Sequence, residues 1–313
     1  MTTPILIAIG GNSLIRHGQR GSIGEQIENA RTTCRYLAAL IKQGHSLIIT
    51  HGNGPQVGAQ LIRSEMASSQ VYPLPLDCCD ASTQGEIGYI LQNALRTELN
   101  ALKIVRSIVT ILTQVVVSKD DPAFQHPTKP IGPFMSQKTA EMRKQELGWH
   151  IVDDAARGYR RVVPSPKPID IVELDAIKHC MDDGMIVIAV GGGGIPVVHD
   201  QKNYSGIEAV IDKDRASALL AGKLGLKKFI ISTDTDRVYL NFKQPDQVAL
   251  DKITLAEAKQ YLENRQFPPG SMGPKMEAAA EFIVHGGEEV IITKPELLVD
   301  AVNGKAGTHI YRN

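Results

Sequence analysis

Three lysines lie in segments whose composition suits phosphate chemistry, although they are far apart along the chain. Lys213 stands between Asp212 and Asp214 in VIDKDRASALLA, at the start of a predicted helix. Lys275 follows a glycine-rich turn in GSMGPKMEAAAEF, and Lys129 is held between two prolines in PTKP. Taken singly, each has an ordinary explanation, since Asp212 is also a good helix N-cap and lysines are common on protein surfaces.

Phosphoryl transfer accounts for all three lysines together. Its transition state spreads negative charge over the equatorial oxygens, so catalysis is mainly positioning and electrostatic stabilisation. We therefore predict that Lys129, Lys213 and Lys275 are catalytic, with Lys213 reaching the transferring phosphoryl group and Asp212 orienting it. No Ser-His-Asp order, His-Glu-x-x-His motif or Cys–His spacing competes, and no metal site built from the protein's own side chains is predicted.

Three glycine-rich turns would supply backbone N–H donors for phosphate oxygens. They lie in IAIGGN (7–12), ITHGNGPQVG (49–58) and AVGGGG (189–194), and each follows the carboxyl end of a predicted strand. Ligands of open parallel sheets bind in the crevice beyond these ends. The sequence therefore predicts one crevice lined with peptide N–H groups. For the run of four glycines, a tight turn remains an equal alternative.

The second turn also admits a different interpretation. GNGPQVG has the spacing G-x-G-x-x-x-G, and Asp77 follows it at about the distance of the ribose-binding acid in dinucleotide-binding folds. A proline inside the motif and two further glycine turns fit a nicotinamide-dependent dehydrogenase poorly. A Walker-type G-x-x-x-x-G-K-[ST] loop is absent.

The elements that would position these residues alternate between strand and helix. Residues 24–43 have apolar positions three and four apart and predict an amphipathic helix that ends at Gly44. This alternation predicts an α/β fold with a mostly parallel sheet and helices on both faces. The predicted strands lie in PILIAIG, SLIIT, VTILTQVVV, MIVIAVG, KFIIST and EVIIT.

Residues 119–166 break the alternation. Prolines recur there at a density that excludes long helices, apart from a short one around 136–147. We interpret this segment, which contains Lys129, as an inserted, projecting subdomain.

The bulk composition excludes several functional classes. The chain has 313 residues, 42% of them hydrophobic, and 34 basic residues balance 34 acidic ones. That balance gives no overall field for nucleic acid or a membrane surface, and no apolar run is long enough to cross a bilayer. No signal peptide is apparent and no C-x-x-C spacing occurs, so we expect a cytoplasmic protein with reduced thiols at Cys34, Cys78, Cys79 and Cys180. The adjacent Cys78 and Cys79 leave a redox role open.

The chain resembles the carbamate kinases of the amino acid kinase superfamily over essentially its full length. The segments with PTKPIGPF and GYRRVVPSPKP are particular to carbamate kinases within that superfamily. The matching stretches are IAIGGN, THGNGPQVG, DPAFQHPTKPIGPF, GWHIVDDAARGYRRVVPSPKP, GGGGIPV, VIDKDRASALLA and GSMGPKMEAAAEF.

This resemblance implies a three-layer αβα sandwich with an open sheet. It further implies one amino acid kinase domain, with an N-terminal lobe (1–205) that holds the phosphoryl acceptor and makes a homodimer contact, and a C-terminal nucleotide-binding lobe (206–313). The implied reaction is ATP + carbamate ⇌ ADP + carbamoyl phosphate, with Mg²⁺ carried by the nucleotide. Its expected direction in the cell is towards ATP, in the breakdown of carbamoyl compounds derived from arginine or purines.

The resemblance also implies residue roles. Related kinases carry a lysine in the first glycine turn; here Asn12 stands there, and Lys129 would supply the missing cation. The implied acceptor-binding residues are Gly10, Gly11, Asn12, Gly52, Asn53 and Gly54. The expected nucleotide-binding residues are Gly191, Gly192, Gly193, Asp214, Tyr239, Met272 and Gly273.

Several positions depart from the family pattern. In PLDCCDASTQGEIGY, Ser82 and Thr83 replace the usual Met and Ser, and Glu86 replaces an apolar or aromatic residue. In TDTDRVY, Thr235 and Arg237 replace a valine and a lysine. These departures leave open a catalytically weak relative that binds nucleotide or carbamoyl phosphate, or a kinase of another small carboxylate.

Overall fold

A computed structural model describes residues 4–16, 18–153, 158–268 and 270–313, including the backbone but not the side chain of Asn12. The strands of this part are β1 (Ile5–Ile9), β2 (Leu47–His51), β3 (Ile108–Thr110), β4 (Gln114–Val117), β5 (Lys129–Met135), β6 (Ile151–Asp153), β7 (Tyr159–Val163), β8 (Pro168–Ile171), β9 (Ile186–Ile188), β10 (Ile195–Asp200), β11 (Asn203–Gly206), β12 (Lys228–Ser232), β13 (Val238–Leu240), β14 (Val248–Leu250), β15 (Lys252–Thr254), β16 (Glu289–Thr293) and β17 (Thr308–Tyr311).

The α-helices of the same part alternate with these strands. They are α1 (Ile23–Lys42), α2 (Gly54–Ala67), α3 (Leu76–Ala101), α4 (Gln137–Leu147), α5 (Leu174–Asp182), α6 (Lys213–Lys223), α7 (Leu255–Glu263), α8 (Met272–Val284) and α9 (Leu298–Val302). None of these helices is both long enough and apolar enough to cross a membrane.

The main sheet has eight strands in the order β15-β17-β16-β12-β1-β2-β9-β3. Its strands run parallel except where β17 pairs antiparallel with β16. The chain leaves β1 in one direction through β2, and later returns to the other side of β1 through β12. This reversal of strand order puts the switch point at β1, where open α/β sheets bind their ligands.

The sheet is covered on both faces, as the sequence predicts. Ile5, Ile7 and Ile9 of β1 pack in one buried cluster with residues of α1 and α3. Leu6 and Ala8, which point to the opposite face, pack in a second cluster with residues of α6 and α8. The fold is a three-layer αβα sandwich, and the α/β prediction is confirmed.

Two smaller sheets carry the remaining parts of the N-terminal half. One has four strands in the order β11-β10-β4-β8. The other, which we call the subdomain sheet, is antiparallel in the order β5-β7-β6 and is joined to α4. It lies within residues 119–166, the proline-rich segment that was interpreted as a projecting subdomain. It packs on α2 so closely that a Cβ added to Gly58 would lie 1.9 Å from the Cα of Gly132.

Two strand predictions are wrong in detail. The run VTILTQVVV is not one strand, because β3 belongs to the main sheet and β4 to the four-stranded sheet. Between them, the side-chain amide of Gln84 accepts from the N–H of Thr113 (2.8 Å) and donates to its carbonyl (3.1 Å), replacing a strand partner. The strand predicted at 185–190 is only β9, because Val190 adopts a left-handed φ of 51°.

Candidate active site

The carboxyl ends of β1 and β2 and the turn after β9 open into one cavity of about 300 Å³, which we call the crevice. Helices α2, α6 and α8 all begin at it, and each helix N-terminus contributes unpaired N–H groups and a partial positive charge. The lining residues are Gly11, Gly52, Asn53, Gly54, Pro55, Lys129, Pro130, Ile131, Arg160, Gly192, Val210, Ile211, Asp212, Lys213, Asp214, Gly270, Ser271, Pro274 and Lys275.

The three lysines meet at this crevice through two aspartates. Nζ of Lys129, on β5, lies 2.6 Å from Oδ2 of Asp212. Nζ of Lys213 pairs with Oδ1 of Asp214, and Nζ of Lys275 lies 3.2 Å from Oδ2 of the same carboxylate. We call these five residues the lysine–aspartate cluster. Its three cations and two anions leave one net positive charge beside the helix N-termini.

Asp212 also caps α6, as the alternative explanation of this residue expected. Its Oδ1 accepts from the backbone N–H groups of Asp214 (2.9 Å) and Arg215 (3.3 Å). Oδ2 remains for Lys129. One carboxylate therefore fixes the helix start with one oxygen and the subdomain lysine with the other, so the two explanations are compatible.

Burial and mutual attraction act in opposite directions on the cluster. Burial alone would raise the carboxyl pKa values, but Lys129 holds the pKa of Asp212 well below its ordinary range, and Lys213 and Lys275 lower the pKa of Asp214. Burial lowers the pKa of Lys213 against the pull of Asp214. For Lys275 the carboxylates outweigh burial and raise the pKa. Both aspartates are therefore ionised at neutral pH.

The run of four glycines after β9 has mostly a packing explanation. A Cβ at Gly191 would lie 2.4 Å from Nε2 of His51, and one at Gly193 would lie 2.4 Å from the carbonyl oxygen of Ile211. Gly193 and Gly194 also have φ values of 102° and 92°, which suit glycine. Only Gly192 of the four lines the crevice, where it lies against the side chain of Asn53.

His51 is a buried structural residue. Its Nδ1 lies 3.2 Å from the carbonyl oxygen of Gly52. Burial lowers the pKa of His51 to about 4, so the ring is neutral at physiological pH.

Several predicted site residues lie outside the crevice lining. Gly10 packs against the end of β12, where its N–H donates to the carbonyl of Ser232 at 3.1 Å. Tyr239, on β13, donates to Asp236 at 2.8 Å, and Met272 packs against the core at the start of α8. A Cβ at Gly273 would meet the carbonyl oxygen of Pro268 at 3.3 Å. The side chain of Asn12 is outside the described part. The roles of all these residues stay predictions.

Arg160 lines the crevice and was missed at the level of sequence. It lies on β7, next to the strand that carries Lys129, and its guanidinium sits 5.2 Å from the ring centroid of Phe134 while Nε donates to Gly132 at 3.1 Å. The signal was present in GYRRVV. Adjacent residues of a strand point to opposite faces, so Arg160 had to point away from Arg161.

None of the residues that depart from the family pattern lines the crevice. Thr83 lies nearest to it, because it contacts Asn53, a residue of the lining. Ser82 is exposed and donates to the carbonyl of Cys78 at 2.9 Å. Glu86 accepts from Gln60 of α2 at 3.1 Å, and Arg237 pairs with Asp251 at 2.6 Å. Asp77, the possible ribose partner in the dehydrogenase interpretation, lies in the first turn of α3 against Gly206 and does not line the crevice.

The chain is similar to known proteins over nearly its whole length. The model of the amino acid kinase family matches residues 3–294. A carbamate kinase of Staphylococcus haemolyticus is 48% identical over 98% of both chains, and the carbamate kinase-like protein YahI of Escherichia coli is 46% identical over 98% of both. The structure of a Giardia lamblia carbamate kinase bound to AMP-PNP superimposes with a TM-score of 0.92 at 38% identity, covering 99% of each chain.

The matches extend through both halves of the sequence, including the subdomain sheet that supplies Lys129. They cover nearly the whole length of the relatives as well as of this chain. The chain belongs to the amino acid kinase family and, within it, to the carbamate kinases.

Proposed function

We propose that the protein is a carbamate kinase, catalysing ATP + carbamate ⇌ ADP + carbamoyl phosphate. The observation that carries the proposal is the lysine–aspartate cluster, in which ammonium groups from β5, α6 and α8 reach one crevice. An anionic group that enters this crevice meets three cations and three helix N-termini. Such preorganised charge is what phosphoryl transfer requires.

In this proposal the aspartates position the lysines. Asp214 is only 2% exposed and holds both Lys213 and Lys275, so these two ammonium groups are kept close together at the crevice. Asp212 holds Lys129 in the same way. As negative charge builds up on the transferring PO₃ group, the ammonium groups stabilise it without moving far, which keeps the reorganisation energy low.

The acceptor side is assigned to the turns after β1 and β2. Gly11, Gly52, Asn53 and Gly54 line the crevice there, and Gly10 and Asn12 complete the proposed set. Gly52 is close enough to the first turn that its Cβ would lie 3.3 Å from the N–H nitrogen of Gly11. Bare peptide groups at this point let a small planar anion approach the backbone.

The nucleotide side is assigned to the C-terminal lobe (206–313), with Asp214, Tyr239, Met272 and Gly273 as its residues and Gly191–Gly193 at the junction with the N-terminal lobe (1–205). The AMP-PNP bound to the Giardia relative supports nucleotide binding. Mg²⁺ enters as part of the nucleotide substrate. Among the described residues, no group of three or more His, Cys, Asp or Glu side chains could hold a metal ion.

We further propose a cytoplasmic homodimer that contacts its partner through the N-terminal lobe and works in arginine or purine breakdown. Large apolar side chains on α2, α3 and the loop between them are exposed, with Met66 at 80%, Tyr72 at 81% and Tyr89 at 66%. Multi-angle light scattering on the purified chain tests the dimer, which a monomer mass would contradict.

The experiment that tests the activity is a coupled ATP-formation assay with ADP, Mg²⁺ and carbamoyl phosphate, with acetyl phosphate as the comparison donor. We expect ATP formation that depends on carbamoyl phosphate. Binding of carbamoyl phosphate without ATP formation would contradict the proposal and favour a nucleotide-binding or carbamoyl phosphate-binding relative.

A further inference from the structure

The side chain of Asn53 is held from behind by two residues of α3. Its Nδ2 donates to Oδ1 of Asp80 at 2.8 Å and to Oγ1 of Thr83 at 2.9 Å. All three residues are buried, with exposed fractions of 2%, 1% and 0% for Asn53, Asp80 and Thr83. Both N–H bonds of the carboxamide are therefore occupied.

Thr83 fixes which end of the carboxamide points where. Its hydroxyl donates to the backbone carbonyl of Asp80 at 2.8 Å, so Oγ1 has no second proton and can only accept from Asn53. Turning the amide around would put the carbonyl oxygen of Asn53 against an acceptor. The NH₂ end must face α3, and within the described residues no donor reaches the remaining polar atom, Oδ1.

The surroundings of Asp80 favour its neutral, protonated form. Burial raises its pKa well above the ordinary carboxyl value, against the hydrogen bond from Asn53, and the nearby charge of Asp77 acts in the same direction as burial. Its Oδ2 is buried without a hydrogen-bond partner among the described residues, which suits a protonated oxygen better than a charged one. A neutral acid can accept from Asn53 through Oδ1 without repelling an anion in the crevice.

We propose that Asn53, oriented by Asp80 and Thr83, accepts a hydrogen bond through Oδ1 from the amino group of the carbamoyl substrate. Asn53 lines the crevice between Gly52 and Gly54, beside the residues that would hold the acceptor. Acetyl phosphate has the same shape but presents a methyl group, which leaves Oδ1 desolvated and unpaired. The site therefore selects a carbamoyl over an acetyl group, and Asp80 and Thr83 are positioning residues for that selection.

This inference rests on the proposed function. Its test is the ratio of two kcat/KM values, the value for carbamoyl phosphate divided by the value for acetyl phosphate. Acetyl phosphate is assayed both as a substrate and as a competitive inhibitor. We expect Asp80→Ala to lower this ratio about tenfold, the value of one hydrogen bond. Asp80→Asn, which keeps the acceptor oxygen, should keep the ratio within about twofold of the wild type. A purely structural role would slow both donors equally.

Thr83→Val and Thr83→Ser provide a second, nearly isosteric pair if Asp80→Ala does not fold. Thr83→Val should lower the ratio and Thr83→Ser should preserve it. An unchanged ratio in both Asp80→Ala and Thr83→Val would overturn the inference. A wild-type protein that is inactive with carbamoyl phosphate would instead contradict the proposed function, so the two failures are distinguishable.

Discussion

The crevice holds its cations in two different ways. Lys213 and Lys275 come from α6 and α8 of the sandwich and share one buried carboxylate, Asp214, whose side chain is 3% exposed. Lys129 comes from the subdomain sheet and is held by Asp212, and the side chains of this pair are 31% and 15% exposed. The first pair of lysines belongs to the body of the fold, whereas the third is brought to it by a separate sheet.

This difference predicts that the two groups of lysines contribute differently to the stability of the fold. Removing one partner of a buried ion pair leaves an uncompensated charge and is costly, while a partly exposed pair contributes less to stability. Changes at the body lysines should therefore affect both turnover and folding. Changes at Lys129 or in the packing of the subdomain sheet should affect turnover with little effect on folding.

The largest effect is expected for Lys275→Ala. It removes one ammonium group from the crevice and alters the balance around Asp214, so we expect kcat to fall by about 10³-fold, at the upper end for the loss of one preorganised stabilising group. Steady-state ATP formation measures this, together with a thermal melt that should show a lower midpoint. Lys259→Ala, an exposed lysine on α7, is the matched control and should behave like the wild type.

Lys129→Ala should lower kcat by about 10²-fold while the thermal midpoint stays close to that of the wild type. If this variant were as unstable as Lys275→Ala, the proposed difference in stability between the two groups of lysines would be wrong. Lys138→Ala, at an exposed position on α4 of the same subdomain, is the control for a general loss of charge. Near-normal turnover in both Lys129→Ala and Lys275→Ala would refute the assigned roles.

Gly58→Ala tests whether the packing of the subdomain sheet on α2 sets the position of Lys129, and it changes no charged residue. Its Cβ would overlap Gly132 at 1.9 Å, so the subdomain sheet must shift relative to α2 and take Lys129 with it. We expect kcat/KM to fall roughly tenfold, because small misplacements of catalytic groups are costly. Gly85→Ala on α3 has open space around its Cβ and should keep wild-type kinetics. Equal kinetics in the two variants would show that the docking of the subdomain sheet does not set the position of Lys129.

The smallest expected effect is on the free energy of unfolding, to which the charge of Asp212 makes a contribution that depends on pH. Because its folded-state pKa is depressed, its contribution is fully present above the unfolded pKa of about 4 and is lost as the pH falls through the lower folded value. We expect Asp212→Asn, which still caps α6, to cost about 1 kcal/mol at pH 7 in urea unfolding.

That difference from the wild type should shrink as the pH falls below about 4. Asp182→Asn removes an exposed i,i+4 pair with Lys178 and should show no such convergence. A constant difference between wild type and Asp212→Asn at all pH values would contradict the assignment of the stabilising charge to this carboxylate.

The sequence was sufficient for the central strands of the main sheet, but not for its edge strands β15 and β17 or for every residue of the site. β1, β2, β12 and β16 were predicted because a parallel central strand is a short continuous apolar run. The split of VTILTQVVV could not be predicted, because the break is stabilised by Gln84, a residue of a distant helix. Patterns along the chain do not report such long-range partners.

The same limit explains why the three lysines were predicted from the sequence and the residues behind Asn53 were not. Lys129, Lys213 and Lys275 stand in unusual local sequences, and their convergence could be inferred from the chemistry they share. Asp80 was overlooked although it lies on the buried face of α3 with Leu76, Thr83 and Ile87, which are four, three and seven residues away from it. A carboxylate on such a face is a usable signal, since buried charges are rare without a reason.

The most direct test of the account compares ground-state and transition-state binding in Lys129→Ala. Calorimetry would measure the affinity for MgADP alone and for MgADP with fluoroaluminate, a mimic of the transferring phosphoryl group, in the presence of ammonium carbamate. If the lysines converge on that group, the affinity for MgADP should stay within about twofold, while the affinity for the fluoroaluminate complex should fall about 10²-fold. Equal affinities of wild type and variant for the fluoroaluminate complex would contradict it.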